Sequence, residues 1–269
     1  MNWARAKNLC LVFLLLLNVF LFVMIKISDD RYKLDKASLD SITNLLAKNN
    51  ISVGKVMTKF YPKRQLVLSD TLPDKDKLTK IFFKGEKFSS DNDNCVSNEK
   101  KKLEFVKNGF ECEFFLPQKF DSIKKLNDEC KAIVKKVKEP QENFVLDSEK
   151  SNDNVIEYRQ KFHSMIILDN FIRFEIENST IKKIACQYCQ PTNFLGPKYE
   201  IISPDVILFE YMNTDEIVKK NGAKINKFDL TYKTMRENSG SLICLPCYRF
   251  IFDDDFEILF NAYTGKVCR

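Results

Sequence analysis

The chain has 269 residues, 44% of them hydrophobic and 30% charged, enough to bury a substantial core and too apolar for a disordered tail. Its 43 basic and 37 acidic residues give a net charge of +6, but Arg5, Lys7 and Lys26 flank one apolar run, so residues 28–269 hold 40 basic against 37 acidic. That near-balance argues against a nucleic-acid binder, and runs such as Lys100-Lys101-Lys102 read as solvated surface.

The first element is the apolar run from Leu9 to Ile25, extended by Ile27 past Lys26. As a helix it measures roughly 26–28 Å, long enough to span a bilayer when Lys26 snorkels towards the headgroups. A cleaved signal peptide has a shorter apolar stretch and a small-residue cleavage site, whereas "MIKISDD" follows here, so the run reads as an uncleaved anchor. Lysines and arginines stand on both sides of it, and charge does not set its orientation. Its one polar residue is Asn18, which shares a face with Leu11, Leu14, Leu15, Leu21, Phe22 and Ile25 by i±3, i±4 and i±7 spacing. Either that face meets a partner's membrane helix, or it faces lipid and the amide bonds its own backbone.

Beyond the membrane, apolar residues at Leu34, Leu39, Ile42, Leu45 and Leu46 predict a helix from Tyr32 to Lys48, closed by Asn49-Asn50. Short strands are expected at 52–61, 64–69 and 78–83, then a polar loop over 89–100. Asn108-Gly109 between two apolar stretches signals a hairpin, because both residues tolerate positive φ. Asp121 or Ser122 caps a helix whose face is Ile123, Leu126, Cys130, Ile133, Val134 and Val137, running to Pro140. Strands over 155–168 and 171–177 meet at Asp169-Asn170, with Ile172, Phe174 and Ile176 opposite Arg173, Glu175 and Glu177. A strand over 181–188 follows a turn at Asn178-Ser179, where "NST" also fits a glycosylation acceptor. Ser203-Pro204 opens a short helix, Thr214 another ended by Gly222, and strands over 228–233, 243–252 and 256–262 close the chain, with Asp253-Asp254-Asp255 as a turn. The fold class is therefore α+β: a single transmembrane helix, then an extracytoplasmic domain of antiparallel sheets with packed helices. The expected divisions are a cytoplasmic tail 1–8, an anchor 9–27, a juxtamembrane helix 28–50 and a domain 51–269 in two halves, 51–140 and 141–269.

Eight of nine cysteines lie beyond the anchor, an even number that fits an oxidising compartment but allows 105 pairings. Two CxxC pairs, Cys186/Cys189 and Cys244/Cys247, are candidate disulfide or thiol pairs. Their wide separation is unlike a compact zinc ribbon, and "CLPCYRFIF" continues as a strand rather than a thiolate-stabilising helix. The single histidine, His163, sits in an alternating stretch without a nucleophile motif, and phosphate-loop, dinucleotide, zincin and nucleophile-elbow motifs are missing. No catalytic, metal or cofactor site is expected.

The opening "MNWARAK" with "LLNVFL" in the apolar run resembles the start of YycI, in the YycH/YycI family of low-G+C Gram-positive bacteria. "LLAKNNISVGKVMTKFYPKRQLVLS" (45–69), "ISPDVILFEYM", "LPCYRFIF" and "ILFNAYTGKV" are similar to the family's helix and strands after the anchor, its final helix, its Pro-x-aromatic-Arg strand and its closing hairpin. Familiar members are cysteine-poor, and this chain departs from them there. The resemblance implies a membrane-anchored, non-enzymatic regulator acting with a YycH-like protein on a sensor histidine kinase of WalK (YycG) type, in contact with the lipid bilayer and no nucleic acid. Transmembrane contact by Leu11, Leu14, Asn18, Leu21 and Ile25 fits that role. The competing readings are a membrane-tethered thiol-disulfide oxidoreductase using the CxxC pairs, and an extracytoplasmic ligand-binding module acting alone.

Overall fold

The computed structural model describes residues 3–138, 142–214, 224–237, 239–252 and 256–268. Helix α1 (Trp3–Arg31) carries the apolar run, and the chain turns before α2 (Lys36–Lys48). The predicted helix thus starts four residues late, because the Asp35 carboxylate accepts the Ser38 N–H at 2.6 Å and caps α2 there. Strands β1 (Ser52–Lys55) and β2 (Lys63–Ser69) precede α3 (Lys75–Phe82), then come β3 (Ser89–Asn92), β4 (Cys95–Ser97), β5 (Lys101–Val106), β6 (Gly109–Phe114) and α4 (Ile123–Val137). The second half holds β7 (Phe144–Leu146), β8 (Val155–Phe162), β9 (Met165–Glu177), β10 (Thr180–Gln187), β11 (Gln190–Tyr199), α5 (Pro204–Met212), β12 (Lys224–Arg236), β13 (Leu242–Phe252) and β14 (Glu257–Asn261).

The described strands join in the order β11-β2-β13-β12-β9-β10-β6-β5-β4-β3, with β1 beside β12, β14 beside β13, and β8 and β7 continuing from β9. Pairing is antiparallel except between β1 and β12 and between β12 and β9. Three clusters of buried side chains divide this sheet. In the first, α3 and α4 cover β4–β6 and β8–β10 through Leu78, Phe82, Leu126, Cys130, Phe110 and Phe174. In the second, α2 and α5 pack on β12–β14 through Leu46, Ile207, Tyr211, Phe228 and Phe250. A small third cluster, including Leu66, Ile167, Cys189 and Cys244, lies among β2, β9, β12 and β13. The halves expected at 51–140 and 141–269 do not follow these cores: the first core runs from Leu78 to Tyr188, and the second gathers Ile42–Ile51 with Ile201–Ala262.

Several elements follow the sequence reading closely. The Asn108 hairpin forms with φ 62° at Asn108, and the Ser122 hydroxyl accepts the Lys125 N–H at the start of α4. The face predicted for α4 is buried apart from Ile123, which is exposed. Other expectations are corrected. Residues 78–83 are mostly helical, since Asp74 caps Lys77 and places Leu78 and Phe82 one turn apart in the core. The polar stretch 89–100 holds the β3–β4 hairpin, which buries Cys95 and Val96. The β8–β9 turn falls at His163-Ser164, with φ 52° at His163, so Asp169 and Asn170 lie inside β9. The second expected helix after Thr214, the acidic turn at 253–255 and Pro140 lie outside the described residues.

Asp169 is held where it is by half-buried partners and Asn170 by buried ones. Asp169 accepts the Thr234 N–H at 2.8 Å and pairs with Lys233 at 2.7 Å. Asn170 donates to Gln160 and to the Cys189 carbonyl and accepts the Cys189 N–H. Nearby, the fully buried Arg249 makes a two-pronged bond to Asp229 at 2.9 and 2.8 Å and reaches Asp147 at 3.2 Å. Burial works against the Arg249 charge, but the Asp229 bonds and then Asp147 outweigh it and raise its pKa. Removing one member of a buried pair leaves the others uncompensated, at about 3–5 kcal/mol. Arg249→Ala is therefore expected to shift urea unfolding of the full chain in detergent by about that amount; a loss below 1 kcal/mol would show that water replaces the guanidinium. Gly109 adds a steric test, because a Cβ there would lie 1.8 Å from the Cys186 carbonyl oxygen. Gly109→Ala is expected to prevent normal folding, whereas Asn108→Gly, which keeps the positive φ accessible, should leave a folded protein by circular dichroism.

Candidate functional site

Every residue from Lys7 to Ser28 on α1 is exposed, and the helix is long and apolar enough to cross a membrane. Its surface is therefore free for lipid or another helix. Leu11, Leu14, Asn18, Leu21 and Ile25 recur at alternating spacings of three and four, the seam of a paired helix, with Asn18 equivalent to Leu11 and Ile25. The Asn18 amide donates one N–H to the Leu14 carbonyl at 2.9 Å. This is the self-satisfying bond available to an amide facing lipid. It uses one of two N–H groups and leaves the Oδ1 acceptor open on the helix surface.

Where α1 ends, the chain is fastened to the domain. The Leu34 N–H donates to the Thr58 carbonyl at 2.8 Å, and the Phe60 N–H donates to the Tyr32 carbonyl at 3.0 Å, a short ladder centred on Lys33 and Lys59. The Tyr32 ring meets Phe60 edge-on at 6.3 Å and Tyr61 at 6.0 Å, while the Tyr61 hydroxyl donates to Asp29 in the last turn of α1. Lys33 sits between Asp29 and Asp30 at 2.5 and 2.8 Å, and Arg31 reaches Glu200 at 2.9 Å. These ion pairs are half-exposed or exposed and screened by solvent, so the backbone ladder and the three rings hold the joint. Nothing in the sequence spacing brings 29–34 to 58–61; proximity comes from α2 folding back so that β1 joins the sheet.

The candidate thiols do not assemble as their motifs suggest. Cys244 and Cys247, three apart in β13, face opposite sides of the sheet, and Cys189 lies past the end of β10, which holds Cys186. Cys186 belongs to the first core, whereas Cys189 and Cys244 share the third. Cys247 instead lies with its Sγ 3.4 Å from that of Cys268, a residue the sequence reading had not singled out beyond its place in the even cysteine count. Burial pushes the Cys186 thiol up to about 11 and the Cys244 thiol up to about 12. Neither stands at a helix N-terminus where a thiolate would be stabilised. His163 stacks on Phe194 at 5.4 Å and meets Phe162 edge-on, an aromatic packing role. No cluster of three or more His, Cys, Asp or Glu that could hold a metal occurs among the described residues. A cleft of about 870 Å³ lies between α4 and β7–β8, lined by Ile123, Leu126, Lys131, Phe144, Ile156 and Tyr158.

Among the described residues one long apolar helix, fastened at its end to a sheet-rich α/β domain, is suited to anchoring in a membrane, and together they define a protein of that class. The model of the YycI protein family matches residues 30–263, nearly the whole chain, and the chain belongs to that family of regulatory proteins. Among solved structures, an uncharacterized protein from Eubacterium rectale ATCC 33656 aligns with a TM-score of 0.52 and 11% identity, over 81% of this chain and 89% of that one. YycH from Bacillus subtilis aligns with a TM-score of 0.50 and 10% identity, over 77% of this chain and 55% of YycH. The chain therefore spans about half of the YycH chain, and the likeness is one of fold. A search of curated proteins finds no match.

The raised thiols carry a direct consequence. Thiolate is the reactive form, and a pKa of about 11 lowers its fraction at pH 8 about 100-fold below that of an exposed thiol. Maleimide labelling of the folded full chain, mapped by mass spectrometry, is expected to modify Cys186 and Cys244 at least that much more slowly than free cysteine. Rapid labelling of either would revive the oxidoreductase reading.

Proposed function

We propose that this YycI-family chain regulates a sensor histidine kinase of WalK (YycG) type through membrane and juxtamembrane contacts, together with a YycH-like protein. Residues 1–8 are then cytoplasmic, 9–27 cross the bilayer, and the domain beyond is extracytoplasmic. Family membership supports the regulatory role, and the fold shared with YycH supports a partner of that architecture. The observation that carries the mechanism is the joint at 29–34 and 58–61, which makes the end of α1 part of the domain. A displacement of the domain is passed to α1 through two backbone hydrogen bonds and packed rings rather than lost in a flexible linker. The exposed seam of α1 then meets a kinase membrane helix, with the open N–H and Oδ1 of Asn18 bonding across the pair. A regulator that contacts one signalling state better than the other shifts the kinase by that difference in affinity, tenfold for about 1.4 kcal/mol.

Co-purification of the full chain with the host's kinase from membranes tests this. Hydrogen bonds between membrane helices are worth about 0.6–2 kcal/mol, so Asn18→Leu is expected to weaken retention roughly 3–30-fold, and scrambling Leu9–Ile25 should abolish it. Phe60→Ala, which loosens the joint without touching the seam, should retain the kinase while uncoupling the domain from its autophosphorylation rate. A folded full chain that retains no kinase would overturn the proposal, and retention unchanged by Asn18→Leu would make the asparagine a passenger.

A further inference from the structure

We propose that Cys247 and Cys268 form a redox-active pair whose disulfide locks the C-terminal segment onto the central strand β13. Neither CxxC motif contains this pairing, and it rests on where the fold delivers the two sulfurs. Cys247 is buried in β13 opposite Asn261 of β14. Beyond β14 the chain turns at Gly265, with φ 72°, and comes back along the same strand. Val267 bridges Phe260, the Cys268 N–H donates to the Leu259 carbonyl at 2.7 Å, and the Asn261 N–H donates to the Lys266 carbonyl at 2.8 Å. This three-point attachment leaves Cys268 half-buried, with its sulfur 3.4 Å from that of Cys247. To bond, the two sulfurs must close from 3.4 Å to about 2.05 Å.

The asymmetry of the pair sets the order of the chemistry. Cys268 is the more accessible sulfur, and the contact with Cys247 holds its thiol below the ordinary value, helped by the charge of Lys233. The same contact and burial push Cys247 up. Cys268 therefore attacks first, as a thiolate, on an incoming low-molecular-weight disulfide, and one thiolate leaves. Cys247 then gives up its proton and attacks the Cys268 sulfur of the mixed disulfide, releasing the second thiolate. In sum, two protein thiols and one external disulfide become one protein disulfide and two external thiols, with protons and electrons balanced. The covalent loop runs from Cys247 to Cys268 and encloses all of β14 and the closing turn. That turn packs Gly265 closely on Ile202 beside α5, so oxidation fixes the tail, β14 and the base of the second core together.

The test uses the purified full chain in detergent, equilibrated with excess oxidised glutathione, then alkylated, digested and mapped by mass spectrometry. The expected product is a Cys247–Cys268 cross-link, with Cys112, Cys130 and Cys186 recovered as alkylated thiols after unfolding. Closing a loop of this length is expected to raise Tm by roughly 10 °C over the reduced form, and Cys268→Ser should abolish that rise without altering the reduced protein. A cross-link from Cys247 to Cys244, or recovery of both Cys247 and Cys268 as thiols, would overturn the proposal. The mapping on the unaltered chain decides the matter even where a variant folds poorly.

Discussion

The domain depends on a buried guanidinium, that of Arg249. Strands of the two main cores meet where β12 runs parallel to β9, and that pairing is short, with Tyr232 opposite Ile167 as its register pair. A sheet joined by so brief a ladder needs other bonds across the same line. Arg249 of β13 supplies them by holding Asp229 of β12 and Asp147, which follows β7 in the other half. Asp147 in turn lies 3.4 Å from Arg159, whose neighbour Glu157 also binds Arg173 at 2.7 Å. Three cations and three anions thus form one connected line from the second core into the first. Such a line contributes less net stability than an apolar filling of equal volume, but it penalises every other register of the two units, because any slip leaves a buried charge unpaired.

The Asp169 and Asn170 bonds act on the same line from the β9 side. Lys233 and the Thr234 N–H converge on Asp169, and Asn170 clasps Cys189 where the chain passes from β10 towards β11. The third cluster is too small to unite the halves by apolar burial alone, so directional bonds do so. At the far end of the second core, the Tyr32–Phe60 ladder extends the same body to the end of α1. The result is a chain of rigid connections from the membrane helix to the distant β3 edge, without a long unstructured linker between α1 and α2.

The sequence revealed those elements whose cause is local. The amphipathic face of α4, the Asn108-Gly109 hairpin and the alternation Ile172/Phe174/Ile176 each follow from residues within one turn or one strand. The elements that escaped depend on distant partners. α3 carries Thr79, Ile81 and Phe82, which favour strands in isolation, and only the Asp74 cap and the first core make it helical. β11 contains Pro191, Gly196 and Pro197 and reads as irregular, yet as an edge strand it tolerates them through register shifts against β2. Asp169-Asn170 has the chemistry of a turn and sits mid-strand because its side chains find buried and half-buried partners 10 to 65 residues away. Likewise, composition exposed the anchor and its Asn18, but the joint and the Cys247–Cys268 contact arise from tertiary pairing that no spacing encodes.

These features bear on how little energy a membrane regulator needs. Asn18 already bonds Leu14 with one N–H and keeps its other N–H and Oδ1 open, so a bond to another helix would add only about 1 kcal/mol to an amide already partly satisfied. In the proposed complex a gain of that size would not hold the helices together; packing along Leu11, Leu14, Leu21 and Ile25 would have to do so. It can, however, choose between two helix registers that pack equally well, as a polar group at one seam position does in coiled coils. The same division of labour appears in the domain, where apolar clusters supply the burial and the Arg249 line selects the alignment. On the proposed mechanism, the joint between the two would make a change of register at the membrane and a displacement of the domain one motion. A rotation of α1 would have to break the Leu34–Thr58 and Phe60–Tyr32 bonds before it could leave the domain behind.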